Sequence, residues 1–266
     1  MKVAKVEWQT SVRTTVVHAL RALSSGSQLV NREMEDAVRP FLSHLPTNST
    51  NTSDRWDAMV AQALLPNCSD DLISQSERAV LQACPNTAEQ LRLRVRPIQE
   101  QWETCGPGLL TAIGKRIGAT QPKEELPTVV LVQPVLGGAA TAYPKQDLVV
   151  MEAVLANPHQ ELPEILRLAW GLTQLLSNPQ WPATDSNNRH IHELAVIPIC
   201  IAEGESFGLC NCDRATMALA SEIWPSPDFR PASIDVLWDW WLATETNTDW
   251  SQRLKALSDR LSWPNS

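Results

Sequence analysis

Thr128-Val-Val-Leu-Val-Gln133 and Asp147-Leu-Val-Val-Met-Glu152, followed by Leu162-Pro-Glu-Ile-Leu-Arg-Leu-Ala-Trp-Gly-Leu-Thr-Gln-Leu-Leu176, decide how this chain is read. The first two runs are β-branched and apolar without alternation, as strands buried on both faces are. Gly137-Gly138 and Ala139-Ala-Thr-Ala-Tyr143 lie between them, and the set predicts two or three antiparallel strands. The third stretch is the clearest helix of the sequence. Pro163 suits a first helical turn, and Ile165, Leu166, Ala169, Leu172 and Leu176 form one apolar stripe.

Upstream, the pattern is helical. Val6, Val12, Val16, Val17, Leu20 and Leu23 predict a helix over 6–23, and a second runs over about 28–44. A polar loop from Leu45 precedes a third helix, which starts at Asp54 and ends before Pro66. Ser74-Gln-Ser-Glu77 reads as a capping box. Thr87-Ala-Glu-Gln90 reads as another, opening a helix through Trp102 that Pro97 kinks and Gly106-Pro-Gly ends. Downstream, helices are expected over about 190–209, 214–224, 234–245 and 249–262, the last three capped by Asp213, Ser233 and Thr248. The fold expected is α+β and mainly helical. A helical region, 1–126, precedes an α+β region, 127–266, with a small antiparallel sheet packed on helices, together one compact unit.

Composition narrows the function classes. With 43% apolar and 20% charged residues among 266, the chain can bury a sizeable core. No apolar run approaches the ~18 residues of a membrane helix. The net charge is −8, and the whole excess lies in residues 127–266, with 8 basic against 16 acidic side chains. That balance argues against nucleic acid or an anionic membrane as partner. The first residues lack the clean apolar stretch of an export signal, so the six cysteines are expected reduced and the compartment cytoplasmic.

The strongest metal-ligating candidates are His190 and His192 with Cys210 and Cys212, imidazole and thiolate being the ligands zinc prefers. On a helix, residues two apart diverge by about 200°, so the histidines converge on one ion only if extended. The alternative is that the histidines face solvent while the cysteines act as small hydrophobes. Among the carboxylates, Glu203, Glu205 and Glu222, with Glu164 and Glu193, are candidates for acid–base work. Glu203 is the one that follows an apolar stretch. Nucleophile and phosphate-loop motifs are absent, and Cys105 before Gly-Pro-Gly sits at an expected helix C-terminus, where the dipole disfavours a thiolate. Arg92, Arg94 and Arg96 alternate on a helix and are expected to be solvated. The sequence holds 11 Trp against 3 Phe and 1 Tyr. In Trp238-Asp-Trp-Trp241, Trp240 points away from the face shared by Leu237, Trp238 and Trp241, as a contact residue or packed on another element.

Glu152-Ala-Val-Leu-Ala-Asn-Pro158 with Leu162–Trp170 resembles a family of uncharacterised bacterial proteins over about residues 100–240. The order of elements also resembles the zincin metallopeptidases. That likeness implies an edge hairpin at 128–151, an active-site helix at 163–176 and Glu203 on a third-ligand helix. The helix lacks the His-Glu-x-x-His histidines, so zinc is not expected to bind as zincins bind it. The function expected is a non-catalytic binding or scaffolding protein without catalytic residues or cofactor. Its ligand residues would be Tyr143, Glu203 and Trp240, and a protein or peptide partner would add a strand beside Ala139–Tyr143. The alternative is a metal-dependent hydrolase, zincin-like or with zinc on the His/Cys set.

Overall fold

Among the described residues, four short strands form one mixed sheet: β1 (Glu7–Thr10), β2 (Thr128–Val132), β3 (Ala140–Tyr143) and β4 (Leu148–Glu152), in the order β1-β2-β4-β3. The structure is a computed structural model and describes residues 5–45, 52–119, 126–154, 159–176, 186–225 and 232–261. β1 pairs with β2 and β2 with β4 in parallel, and β3 alone runs antiparallel, against β4. The antiparallel sheet expected from the sequence is therefore corrected to a mainly parallel one. The continuous apolar runs explain it, since parallel strands are covered on both faces. Val129, Leu131, Val149 and Met151 face one core, and Val130, Val132, Leu148 and Val150 face the other.

Helices fill both cores. α1 (Val12–Ser24), α2 (Arg32–Val38), α3 (Thr52–Leu64) and α4 (Asp71–Ala83) cover one face. α5 (Thr87–Arg116), α6 (Glu164–Thr173), α7 (Ser186–Ser206), α8 (Arg214–Ile223), α9 (Ile234–Thr244) and α10 (Trp250–Arg260) build the core on the other. The fold is α+β and mainly helical. Elements of residues 1–126 lie on both faces of the sheet, with β1 within it. No helix of the described residues is long and apolar enough to cross a membrane.

Three local expectations are revised. Residues 7–10 are strand, not the start of a helix: extended Ser11 accepts the Thr14 N–H at 3.0 Å and opens α1 after the strand has ended. Ser74 lies inside α4, because Asp70 caps earlier through the Ile73 N–H at 3.1 Å, and extending a helix costs less than nucleating one. Gly106-Pro-Gly does not end α5, which is 30 residues long in all and continues to Arg116 with Pro97 and Pro107 inside it. A Cβ at residue 106 would lie 2.3 Å from the Trp102 ring, so glycine lets that ring lie across the helix. The caps of α8 and α10 are side-chain carboxylates, Asp213 as expected and Asp249 in place of Thr248. Ser233 precedes α9 without a side-chain cap bond.

α6 comes close to the sheet at Gly171, where a Cβ would lie 2.9 Å from Val149 Cγ1. Val149 is a short, branched, fully buried side chain with no room to give. Gly171→Ala is expected to destabilise the fold by about 1–3 kcal/mol through overpacking. The midpoint of urea unfolding, at unchanged slope, measures it.

Candidate functional site

The carboxyl ends of β2 and β4 lie at one end of the sheet, where the loop 133–139 crosses to β3 and α6 begins. In open sheets with parallel strands, such ends are where ligands bind. Glu152 closes β4 there and is fully buried. Its Oε1 lies 2.9 Å from His18 Nε2 and accepts the Leu136 N–H at 2.8 Å. Its Oε2 accepts the Gly138 and Ala139 N–H groups at 2.6 and 3.2 Å. Burial alone would push the carboxyl pKa up, but His18 and the loop amides outweigh it and hold the group below its ordinary value. The loop reaches this geometry through Gly138, at φ +149°, where a Cβ would lie 2.5 Å from Ile223 and 2.9 Å from Arg167 Nη1.

Arg167 and Glu164, on the first turns of α6, extend the network. Arg167 Nη2 donates to the Glu152 carbonyl at 2.8 Å and to Glu164 Oε1 at 3.1 Å. Arg94 of α5 donates to Glu164 Oε2 at 2.9 Å. Arg94 is thus not one of the solvated arginines expected of that run, whereas Arg96 is, pairing with Glu100 at the surface. Arg167 is 3% exposed, and its Nε has no acceptor among the described residues. It lines a narrow cleft with Gly137, Val154, His159, Leu162, Glu164, Ile223 and Trp224. The amino end of α6 carries no side-chain cap and adds partial positive charge there.

Of the residues singled out from the sequence, Glu164 lies here, while Tyr143, Trp240, Glu203 and the His/Cys set lie elsewhere. Tyr143 is buried in the core beneath α1–α4, its hydroxyl accepting from Arg21 at 3.0 Å. On β3, beside which an added strand was expected, the Ala140 N–H donates to the Trp224 carbonyl at 2.9 Å and the Ala142 carbonyl accepts from Arg189 at 2.7 Å. Trp240 is fully buried, its ring N–H donating to the Arg253 carbonyl at 2.8 Å, while Trp238 is the half-buried one. Glu203 pairs with Arg116 of α5 at 2.7 Å and does not line the cleft. Cys105 lies within α5, not at its end, and burial raises its thiol pKa.

The His/Cys zinc set of the alternative reading does not assemble among the described residues. His190 and His192 are helical residues of α7, the helix rises ~14 Å between His192 and Ile201, and Cys210 bonds back to the Ile201 carbonyl. His192 is buried, with Nδ1 2.8 Å from Gln174 Oε1 and its ring edge-on to Trp250. Burial, with neighbouring acidic groups, pushes the Cys210 and Cys212 thiols up to about 12 and 11. Among the described residues, no group of three or more His, Cys, Asp or Glu is placed to hold a metal ion.

The residues that do converge, His18, Glu152, Glu164 and Arg167, carry a sequence signal of another kind: each is charged or titratable inside or at the end of an apolar run. His18 follows Val16-Val17, Glu152 ends Leu148-Val-Val-Met, and Arg167 interrupts the stripe of α6. A group so placed is buried and must find a partner. In comparisons with protein-family models, curated proteins and solved structures, nothing matched this chain, so no relative's residues carry over to the site.

Two outcomes follow from this geometry. Glu152→Gln is expected to cost about 3 kcal/mol, because the amide NH₂ faces a backbone donor in either orientation and leaves it unsatisfied. Urea unfolding of the two proteins measures the loss. Acid acts in two windows. Burial holds His192 down to about 4, whereas an unfolded imidazole titrates near 6.5. Its contribution is complete above pH ~6.5 and is lost as pH falls towards 4, about 3 kcal/mol in all. The depressed Glu152 carboxyl keeps its contribution above the unfolded value near 4.3 and loses it below. Stability measured against pH is expected to decline from 6.5 to 4, and His192→Gln is expected to flatten that limb while leaving the fall below 4.3.

Proposed function

We propose that the chain is a non-catalytic binding protein whose cleft takes the terminal carboxylate of a peptide or protein partner. The observation that carries this reading is Arg167: a buried residue that lines the cleft, held through Nη2, with Nε left without an acceptor among the described residues. Its spare capacity is donor-only, which calls for an acceptor, and a carboxylate meets a guanidinium best. The cleft has room for a group of a few atoms rather than a cofactor, and Val154, Leu162, Ile223 and Trp224 give it apolar walls for a last side chain. Binding is favoured over acid–base chemistry because both oxygens of Glu152 and of Glu164 are already engaged.

The test compares two acetylated dipeptides ending in leucine, one with a free carboxylate and one amidated, titrated into ¹⁵N-arginine-labelled protein. The free acid is expected to shift the Arg167 Nε–H signal saturably and to bind at least about tenfold tighter than the amide. Equal binding of the two, or no shift with either at millimolar concentration, would sink the reading. Since the comparison is made on the unaltered protein, it does not depend on whether an Arg167 variant folds.

A further inference from the structure

A second group of cations lies away from the cleft, where α9 and α10 meet the end of α5. Arg253 of α10 is 2% exposed and sits 5.3, 5.2 and 5.4 Å from the ring centroids of Trp240, Trp241 and Trp250. Arg116 of α5 lies over the same Trp241 ring at 5.7 Å. Aromatic rings at such distances attract the cationic charge but accept little of its N–H capacity. Arg116 has Glu203 as its ion-pair partner through Nε, and no carboxylate reaches Arg253 among the described residues.

The donors around this cage are in surplus. Arg253 Nε and Nη2, Arg116 Nη1 and Trp250 Nε1 are all buried with no acceptor among the described residues. Leaving a buried charge and several buried donors unmatched is costly. Burial first, and then the charge of Arg116, pulls Arg253 down to about 10, with Glu245 opposing. A single water offers two acceptor sites at most and no charge, so it does not balance the set. An oxyanion does both. Arg116 is 35% exposed in its side chain, with Nη1 its buried end, so it stands between the cage and solvent.

We propose that Arg116, Arg253 and Trp250 frame a binding site for a small oxyanion of the phosphate type. The site is independent of the carboxylate cleft beside Arg167 and shares no residue with it. Several oxygens are needed to meet donors from three side chains, and two guanidinium groups provide the charge, as in phosphate recognition by arginine.

Titration of the full chain with sodium phosphate, ionic strength held constant with sodium chloride, tests the proposal by thermal unfolding and by tryptophan fluorescence. Phosphate is expected to raise the Tm saturably and to change the fluorescence, because three tryptophans line the guanidinium. Arg253→Met is expected to be at least as stable as the parent without phosphate, since it removes an unpaired buried charge, and to lose the response. Arg116→Gln, altered at a part-exposed position, is expected to weaken phosphate by about tenfold or more. An unaltered protein that ignores phosphate overturns the proposal, as does a parent-like response in either folded variant. Should Arg253→Met not fold, the Arg116→Gln titration alone decides between these outcomes.

Discussion

The fold is organised around a buried carboxylate, Glu152, at the end of a central strand. A charge in that position is costly unless every lone pair is met, and here the surrounding chain is arranged to meet them. The crossing loop between β2 and β3 turns its amides of Leu136, Gly138 and Ala139 inward to Glu152. α1 delivers His18 from one face of the sheet, and Arg167 of α6 holds the Glu152 carbonyl from the other. One residue therefore ties both layers of helices to the same strand end, and the left-handed backbone at Gly138 is a consequence of that demand.

From this anchor, charge passes outward through Arg167 to Glu164 and on to Arg94 of α5. The chain of pairs fixes the start of α6 and leaves one guanidinium edge without an acceptor among the described residues, which is the chemical basis of the proposed carboxylate site. The tryptophan cage around Arg253 poses the opposite case. There the cation is surrounded by rings, so its charge is softened while Nε and Nη2 find no acceptor among the described residues. A paired network and an unpaired one in the same molecule lead to different expectations on substitution: breaking the first leaves orphans, and deleting the second removes them.

Much of the architecture was legible along the chain. β2, β4, α6 and α8 were readable because their signals are local: continuous β-branched runs, an apolar stripe at helical spacing, and an aspartate at a helix start. β1 was not. Its four residues pair with Thr128–Leu131, far along the chain, and no local pattern records such a partner. The run of α5 through Gly106-Pro-Gly was equally hidden, because the packing of Trp102 against Gly106 outweighs the breaker tendency of those residues. Of the candidate site, only Glu164 was among the residues singled out; Glu152 and Arg167 are charged residues set in apolar runs, a signal that is present in the sequence but does not show that they meet. Arg94 looked like its solvated neighbours Arg92 and Arg96, and only the approach of α6 distinguishes it. Tyr143 and Trp240 are both buried, Trp240 packed on another element as one of its two readings had it, because an aromatic ring is suited to an interface and to a core alike and only the neighbouring elements decide which.

By itself, then, the sequence determined most of the elements, the mainly helical α+β class and the presence of charges within apolar runs, since propensity, capping and periodicity act over a few residues. The tertiary structure decided that the sheet is largely parallel, that His18 and Arg167 converge on Glu152 from opposite faces, and that the His/Cys set stays dispersed. Those outcomes depend on which distant surfaces exclude water together, and a buried charge takes its partner from whatever the packing brings within hydrogen-bonding reach, however far away along the chain.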